Sequence, residues 1–154
     1  MLRFAVSALI VASLPATAEP VSGPVRAEVL RVIDGDTVLV RAAPWPGHSV
    51  EVSVRLRGID APEIRTRCAA EKSAGMAAAE ALARLLDGGD VRLTSIEGDK
   101  YFGRVVADLA TASGEDAADA LRALGLVRDY GGGARSRSCD AGPETGLFAV
   151  SGRR

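Results

Sequence analysis

The sequence predicts a mainly β chain with helices (α+β), in the form of a five-stranded Greek-key barrel with two to three packed helices. Two observations lead to this prediction. Short stretches rich in β-branched residues are separated by tight-turn residues, a pattern typical of antiparallel strands. Two longer stretches of helix-forming residues follow the third and the fifth of these strands, and glycine ends each one.

The five strands are predicted from apolar stretches bounded by turn residues. They cover residues 29–33, 38–40, 50–59, 91–96 and 104–110. A loop signal, Pro-Trp-Pro-Gly at 44–47, precedes the third strand. That strand alternates, so Arg55 and Arg57 lie opposite its apolar side chains and are expected to face outward together.

Two helices are predicted. The first covers residues 69–86, is rich in alanine and is closed by Gly88 and Gly89. The second covers residues 115–124, begins with acidic residues and ends at Gly125. Three strands, a helix, two strands and a helix form the order of the five-stranded OB-fold.

The N-terminus reads as a signal peptide over residues 1–18. Arg3 precedes an apolar run at 4–14, and small residues follow up to Ala18, after which cleavage is predicted. The apolar run is too short to cross about 30 Å of hydrocarbon. We therefore expect a secreted or periplasmic protein without stable membrane association.

After the leader, the expected organisation is a short segment at 19–25, one folded domain at 26–140 and a flexible tail at 141–154. The formal net charge is −1, so any affinity for nucleic acid must come from a local basic cluster. Cys68 and Cys139 in an oxidising compartment favour one disulfide, with two unpaired thiols as the alternative.

The first cluster with chemical character is Asp-Gly-Asp-Thr at residues 34–37. Carboxylate oxygens are the ligands that calcium prefers. An EF-hand is excluded because Leu39 and Trp45 occupy the positions of its glycine and closing glutamate. Taken alone, the tetrapeptide fits an ordinary tight turn better than a metal site.

A second cluster follows the third strand and reads Arg-Leu-Arg-Gly-Ile-Asp-Ala-Pro-Glu at 55–63. Pro62 biases Ala61 toward an extended conformation, which brings Asp60 and Glu63 close together. One carboxylate is then available to bind a metal and the other to take a proton from water. The alternative is a solvated loop.

The third cluster is Asp-Lys-Tyr-Phe-Gly-Arg at 99–104, where Arg104 begins a strand beside aromatic residues that can stack on a base. By itself it is an ordinary polar turn. The only histidine, His48, lies in a loop, so histidine-dependent nucleases and histidine-rich zinc sites are not expected.

In this order and with these gaps, the three clusters resemble the staphylococcal nuclease family, also called thermonucleases, over residues 29–130. The resemblance implies an SNase-like OB-fold nuclease domain that binds Ca²⁺ and hydrolyses DNA and RNA to 3′-phosphorylated products. The implied metal ligands are Asp36, Asp60 and the Ala61 carbonyl. Glu63 is the implied general base, and the implied phosphate-binding arginines are Arg55 and Arg104.

The aromatic positions depart from the family pattern. The family's Asp-x-Tyr-Gly-Arg contains one residue fewer than this chain's 99–104, so either Tyr101 or Phe102 takes the place of its nucleotide-contacting tyrosine. A second stacking tyrosine maps near Tyr130. A monomer is expected, and the preference between DNA and RNA stays open.

Two other classes of function are considered. OB-folds also hold single strands without cutting them, so a non-catalytic nucleic-acid-binding module is the main alternative. A structural protein in which the clusters are surface turns is the third. All five side chains that the resemblance implies are present, which favours the enzyme; they are Asp36, Asp60, Glu63, Arg55 and Arg104.

Overall fold

The computed structural model describes residues 19–87 and 89–133. Its strands are β1 Val25–Asp34, β2 Thr37–Trp45, β3 His48–Leu56, β4 Ile59–Asp60, β5 Asp90–Gly98, β6 Arg104–Thr111 and β7 Arg128–Asp129. Its helices are α1 Ala69–Leu85 and α2 Ala117–Ala123. Neither helix is long and apolar enough to cross a membrane.

Five strands close into a barrel in the order β1-β2-β3-β6-β5, with β5 returning to pair with β1. All of these pairs are antiparallel except β3 with β6, which run parallel. Closure removes the exposed edges that an open sheet of this size would have. The predicted five-stranded α+β barrel of OB-fold type is thus confirmed.

The core fills the barrel from alternate positions of its strands. Val54 and Leu56 of β3 are fully buried, as are Val38 and Val40 of β2, which matches the two-residue period of a strand. Leu121 of α2 is also fully buried and packs in the same cluster. Each such side chain contributes about 1.5–3 kcal/mol by leaving water, so this cluster fixes the barrel beneath the polar residues.

Two turns differ from the prediction. β2 continues to Trp45, and only Pro46 and Gly47 form the turn, where Gly47 has a φ of 77°. β3 ends at Leu56 rather than at residue 59, because the chain turns at Gly58, whose φ is 75°. Only glycine adopts such angles at little cost.

The short sheet of β4 and β7 was not predicted. Ile59 pairs with Asp129 and Asp60 with Arg128, and the N–H of Tyr130 donates to the Gly58 carbonyl at 2.9 Å. Two-residue strands give no periodicity in a sequence. Their pairing places the chain near Tyr130 next to Asp60.

Several expectations concern residues outside the described ranges. The signal peptide at 1–18, the tail at 141–154 and Cys139 belong to this group. Cys68 lies just before α1 and is not a free thiol. Its predicted pairing with Cys139 stays a prediction.

Candidate nucleic-acid cleft

An open cleft of about 1320 Å³ lies where the end of β3, the loop after β4, the β5–β6 turn and β7 meet. Of the described residues that line it, seven are basic and four are acidic. The basic ones are Arg55, Arg57, Arg65, Arg67, Lys100, Arg104 and Arg128, and the acidic ones are Asp60, Glu63, Glu71 and Asp99. A chain of net charge −1 therefore concentrates positive charge here, as binding to phosphates requires.

Asp36 lies beneath this cleft, in the tight turn between β1 and β2. Its carboxylate accepts hydrogen bonds from the Thr37 hydroxyl at 2.7 Å and from the Ala61 N–H at 3.2 Å. A Cβ on Gly35 would lie 2.6 Å from the Cβ of Ala78 and 2.7 Å from that of Ala61. Glycine therefore lets the turn pack directly between α1 and the loop after β4.

Arg55 joins two carboxylates at the floor of the cleft. Its Nη1 donates to Asp36 at 2.5 Å, and its Nη2 donates to Asp60 at 3.2 Å and to the Ile59 carbonyl at 3.0 Å. All three charged side chains are buried, with Arg55 at 8% exposure. Removal of Arg55 would therefore leave two buried carboxylates without this cation, which is costly.

The prediction that Arg55 and Arg57 face outward together is only partly confirmed. Arg55 does lie opposite the apolar side chains of β3, but the carboxylates cover it. Arg57 follows the end of β3, is partly exposed, and forms ion pairs with Glu97 at 3.4 Å and Asp108 at 3.3 Å. The two arginines thus have separate surroundings, and only Arg55 contacts the predicted metal ligands.

The carboxyl groups of Asp34 and Asp36 in the acidic turn have pKa values shifted in opposite directions. Burial raises the pKa of Asp36, but the charge of Arg55 and hydrogen bonds from Thr37, Asp34 and Ala61 outweigh burial and hold this pKa below its usual value. Burial, together with the charge of Asp36, raises the pKa of Asp34 to about 6. Asp36 therefore stays ionised well below neutral pH, whereas Asp34 takes up a proton near pH 6.

Glu63 lies in the loop between β4 and α1 and is exposed at the cleft. Its Oε1 accepts the Arg65 N–H at 2.8 Å. α1 supports this loop closely, because a Cβ on Gly75 would lie 2.5 Å from the Pro62 carbonyl oxygen. The loop that bears Glu63 is thus held against the helix while the carboxylate stays accessible to water.

Arg104 reaches the same cleft from β6. In the parallel pair, Arg104 is the partner of Ser53, two residues before Arg55 on β3. Partners and alternate residues share a sheet face, so the Cα atoms of Arg55 and Arg104 are about 8 Å apart on one face. The Arg104 guanidinium also forms an ion pair with Asp99.

The three aromatic candidates take different places. Tyr101 lines the cleft, and the Arg104 guanidinium lies 4.6 Å from its ring centroid. Tyr130 also lines it, 5.4 Å from the Arg55 guanidinium. Phe102 is fully exposed and is not among the lining residues. The cleft therefore brings together both tyrosines and both arginines.

Four further basic residues at the cleft were missed in the sequence, namely Arg65, Arg67, Lys100 and Arg128. Arg65 and Arg67 follow Glu63 closely, so their position in the chain was an available signal. Arg128 comes to the cleft through the β4–β7 pairing, for which the sequence has no signal.

The donor set fits a hard divalent cation. Asp36 and Asp60 contact one guanidinium and so lie close together, and the Ala61 carbonyl follows Asp60 directly in the chain. Oxygen ligands of this kind suit calcium. Within residues 19–87 and 89–133 no three His, Cys, Asp or Glu side chains form a metal cluster, so such a site would also use the carbonyl and water.

The comparison with protein families agrees with the cleft. The family model described as staphylococcal nuclease homologue matches residues 53–138, which include Arg55, Asp60, Glu63 and Arg104. Asp36 lies before the match, although it contacts Arg55 and Ala61 inside it. A search of curated proteins found no match to the chain. Because the family model covers more than half of its residues, this chain belongs to the family of staphylococcal nuclease homologues.

Proposed function

We propose that this protein is an exported, calcium-dependent nuclease that hydrolyses phosphodiester bonds of DNA and RNA to 3′-phosphorylated products. The observation that best supports this proposal is the convergence of Arg55, Arg104, Asp60 and Glu63 on one basic cleft. Membership of the family supports activity on nucleic acid. The calcium requirement, the products and the residue roles are part of the proposal.

The arginines would bind and polarise the phosphate. Attack on a phosphodiester spreads negative charge over the phosphoryl oxygens, and fixed cations stabilise that charge without reorganisation. Arg55 is held by Asp36 and Asp60, and Arg104 by Asp99. Both guanidinium groups are therefore oriented before substrate arrives, and their remaining N–H groups can donate to a phosphate.

Glu63 would act as the general base. An exposed carboxylate beside the bound phosphate can accept a proton from water as the water oxygen bonds to phosphorus. The bond from phosphorus to the 5′-oxygen then breaks, and that oxygen takes up a proton to leave as a hydroxyl group. The phosphate stays on the 3′-oxygen.

Asp36, Asp60 and the Ala61 carbonyl would hold the calcium ion. A bound divalent cation would add electrostatic stabilisation of the phosphoryl oxygens. The chain's own contribution is to keep Asp36 ionised, through Arg55 and the Thr37 hydroxyl, and to keep the loop at Ala61 attached to the Asp36 carboxylate.

One observation favours the alternative, a module that binds single strands without cleaving them. Asp36 and Asp60 already share the Arg55 guanidinium, so one of their two negative charges is offset without a metal ion. The cleft's excess of basic residues and its two tyrosines would bind a strand in either case. Cleavage in the presence of calcium is therefore the measurement that separates the two functions.

The test is to incubate the purified chain with single-stranded DNA and with RNA, in calcium or in chelator, and to identify the product ends. We expect cleavage only with calcium, ends that carry a 3′-phosphate, and a rate about 100-fold lower in Glu63→Gln. Glu80→Gln is the matched control, because Glu80 is an exposed α1 carboxylate paired with Arg84. Binding without calcium-stimulated cleavage would contradict the enzyme and support the binding module.

Export is tested separately. If the leader is cleaved after Ala18, protein recovered from the periplasm or the medium begins at Glu19, as N-terminal sequencing would show. Recovery of the full-length chain from the cytoplasm alone would contradict this part of the proposal.

A further inference from the structure

Phe102 is a wholly exposed aromatic residue directly beside the cleft. Its neighbours in the chain, Lys100, Tyr101 and Arg104, all line the cleft, whereas Phe102 does not contact the cleft wall and is fully exposed to solvent. An exposed phenylalanine forgoes about 1.5–3 kcal/mol of burial. Its position at the entrance of a nucleic-acid cleft suggests a use for the exposed ring.

The turn that presents Phe102 is well held. The Arg104 N–H donates to the Tyr101 carbonyl at 3.2 Å, which closes a four-residue turn with Phe102 and Gly103 at its corners. Gly103 has a φ of 77°, as the second corner of a type II turn requires. Asp99 adds bonds to the Lys100 N–H at 2.6 Å and to the Arg104 guanidinium.

The surroundings of the ring favour a nucleobase over an apolar partner. Tyr101 already has two cations near its ring, with Lys100 Nζ 5.2 Å and the Arg104 guanidinium 4.6 Å from the ring centroid. A strand whose phosphates contact these cations would place its next base outside the cleft. Aromatic rings stack on any base, and cations beside them attract the connecting phosphates.

We propose that Phe102 is an outer stacking platform for a base of single-stranded nucleic acid, beyond the nucleotides held in the cleft. This inference builds on the proposed function and adds to it a preference for strands longer than the cleft. The hydrogen-bonded turn fixes the backbone of Phe102 before binding, so less backbone entropy is lost when the base stacks. Short substrates would not reach Phe102 and would gain nothing from it.

The test compares two substrates, a dinucleotide with one phosphodiester bond and a 12-nucleotide single strand, for the native chain, Phe102→Ala and Phe102→Trp. We expect Phe102→Ala to lower kcat/KM for the 12-mer about tenfold and to leave the dinucleotide unchanged. Phe102→Trp should retain the native value. Equal loss on both substrates, or no loss on either, would overturn the proposal.

Trp45→Ala is the matched control, since Trp45 is an exposed aromatic residue at the β2–β3 turn that does not line the cleft. It should change neither rate. Binding of the 12-mer in chelator, measured by fluorescence anisotropy, separates this inference from the proposed function. If the native chain cleaves nothing, the nuclease proposal fails, and about tenfold weaker binding by Phe102→Ala would still support the stacking platform.

Discussion

The floor of the cleft and its rim use the same kinds of side chain in different environments. On the floor, Asp36, Arg55 and Asp60 are all at most 8% exposed and bond mainly to one another. On the rim, Glu63 and Tyr101 are exposed and Arg104 is partly exposed. A buried charge without its partner costs several kcal/mol, whereas an exposed one costs little. Floor residues should therefore affect stability and activity together, and rim residues activity alone.

The largest expected effect is a difference in stability between the Arg55→Ala and Arg104→Ala variants. Arg55→Ala leaves two buried carboxylates without their cation, so we expect a loss of about 3–5 kcal/mol in the free energy of unfolding. Arg104→Ala should cost about 1 kcal/mol or less. Both should lower the cleavage rate about 1000-fold. Urea unfolding and single-turnover cleavage measure the two quantities, and equal losses of stability would contradict the division into floor and rim.

A smaller effect is expected where α1 supports the loop of Glu63. In Gly75→Ala, the new Cβ would lie 2.5 Å from the Pro62 carbonyl oxygen. This contact is not easily relieved, because a backbone atom cannot rotate away as a side chain can. We expect a loss of about 1–3 kcal/mol in stability and a lower cleavage rate as Glu63 is displaced.

Gly98→Ala serves as the control for Gly75→Ala. A Cβ at Gly98 has no atom within 4 Å, and its backbone has no positive φ. Its unfolding free energy and cleavage rate should match those of the native chain within error. If both glycine variants behave alike, the contact between α1 and the loop does not position Glu63.

The smallest effect should come from Lys100→Gln on the rim. Lys100 is exposed and lines the cleft, so its loss should weaken binding to single-stranded DNA about two- to threefold and leave the melting temperature unchanged. The slope of log K against log salt should fall by about 0.7. An unchanged slope would show that this side chain contacts no phosphate.

Much of the barrel could be predicted, because its strands obey simple rules. Alternation around Val54 and the Asp-Gly turn at residues 34–37 indicate strand, turn and strand locally. The site clusters were also visible as motifs, since Asp60, Glu63 and the residues near Arg104 are close in sequence to strand ends. Local chemistry thus sufficed to identify Asp60, Glu63 and Arg104 at the cleft.

What could not be predicted depends on contacts between distant segments. Arg55 looks like an outward residue on its strand, and its burial follows from the carboxylates of Asp36 in the β1–β2 turn and Asp60 in β4. Arg128 joins the cleft through a two-residue strand. The positions of Tyr101 and Phe102 depend on one turn whose type is set by Gly103. Comparison with the family motif alone therefore did not decide which of the two aromatic residues lines the cleft.

The parallel pairing of β3 with β6 has a consequence for the β5–β6 turn. Arg104 is registered against Ser53 by backbone hydrogen bonds, and those bonds do not depend on the length of the turn at residues 99–103. Insertion of a residue there would lengthen the turn without shifting the Cα atom of Arg104 relative to that of Arg55. The length of this turn can thus change while the backbone spacing of the two arginines on the barrel is kept.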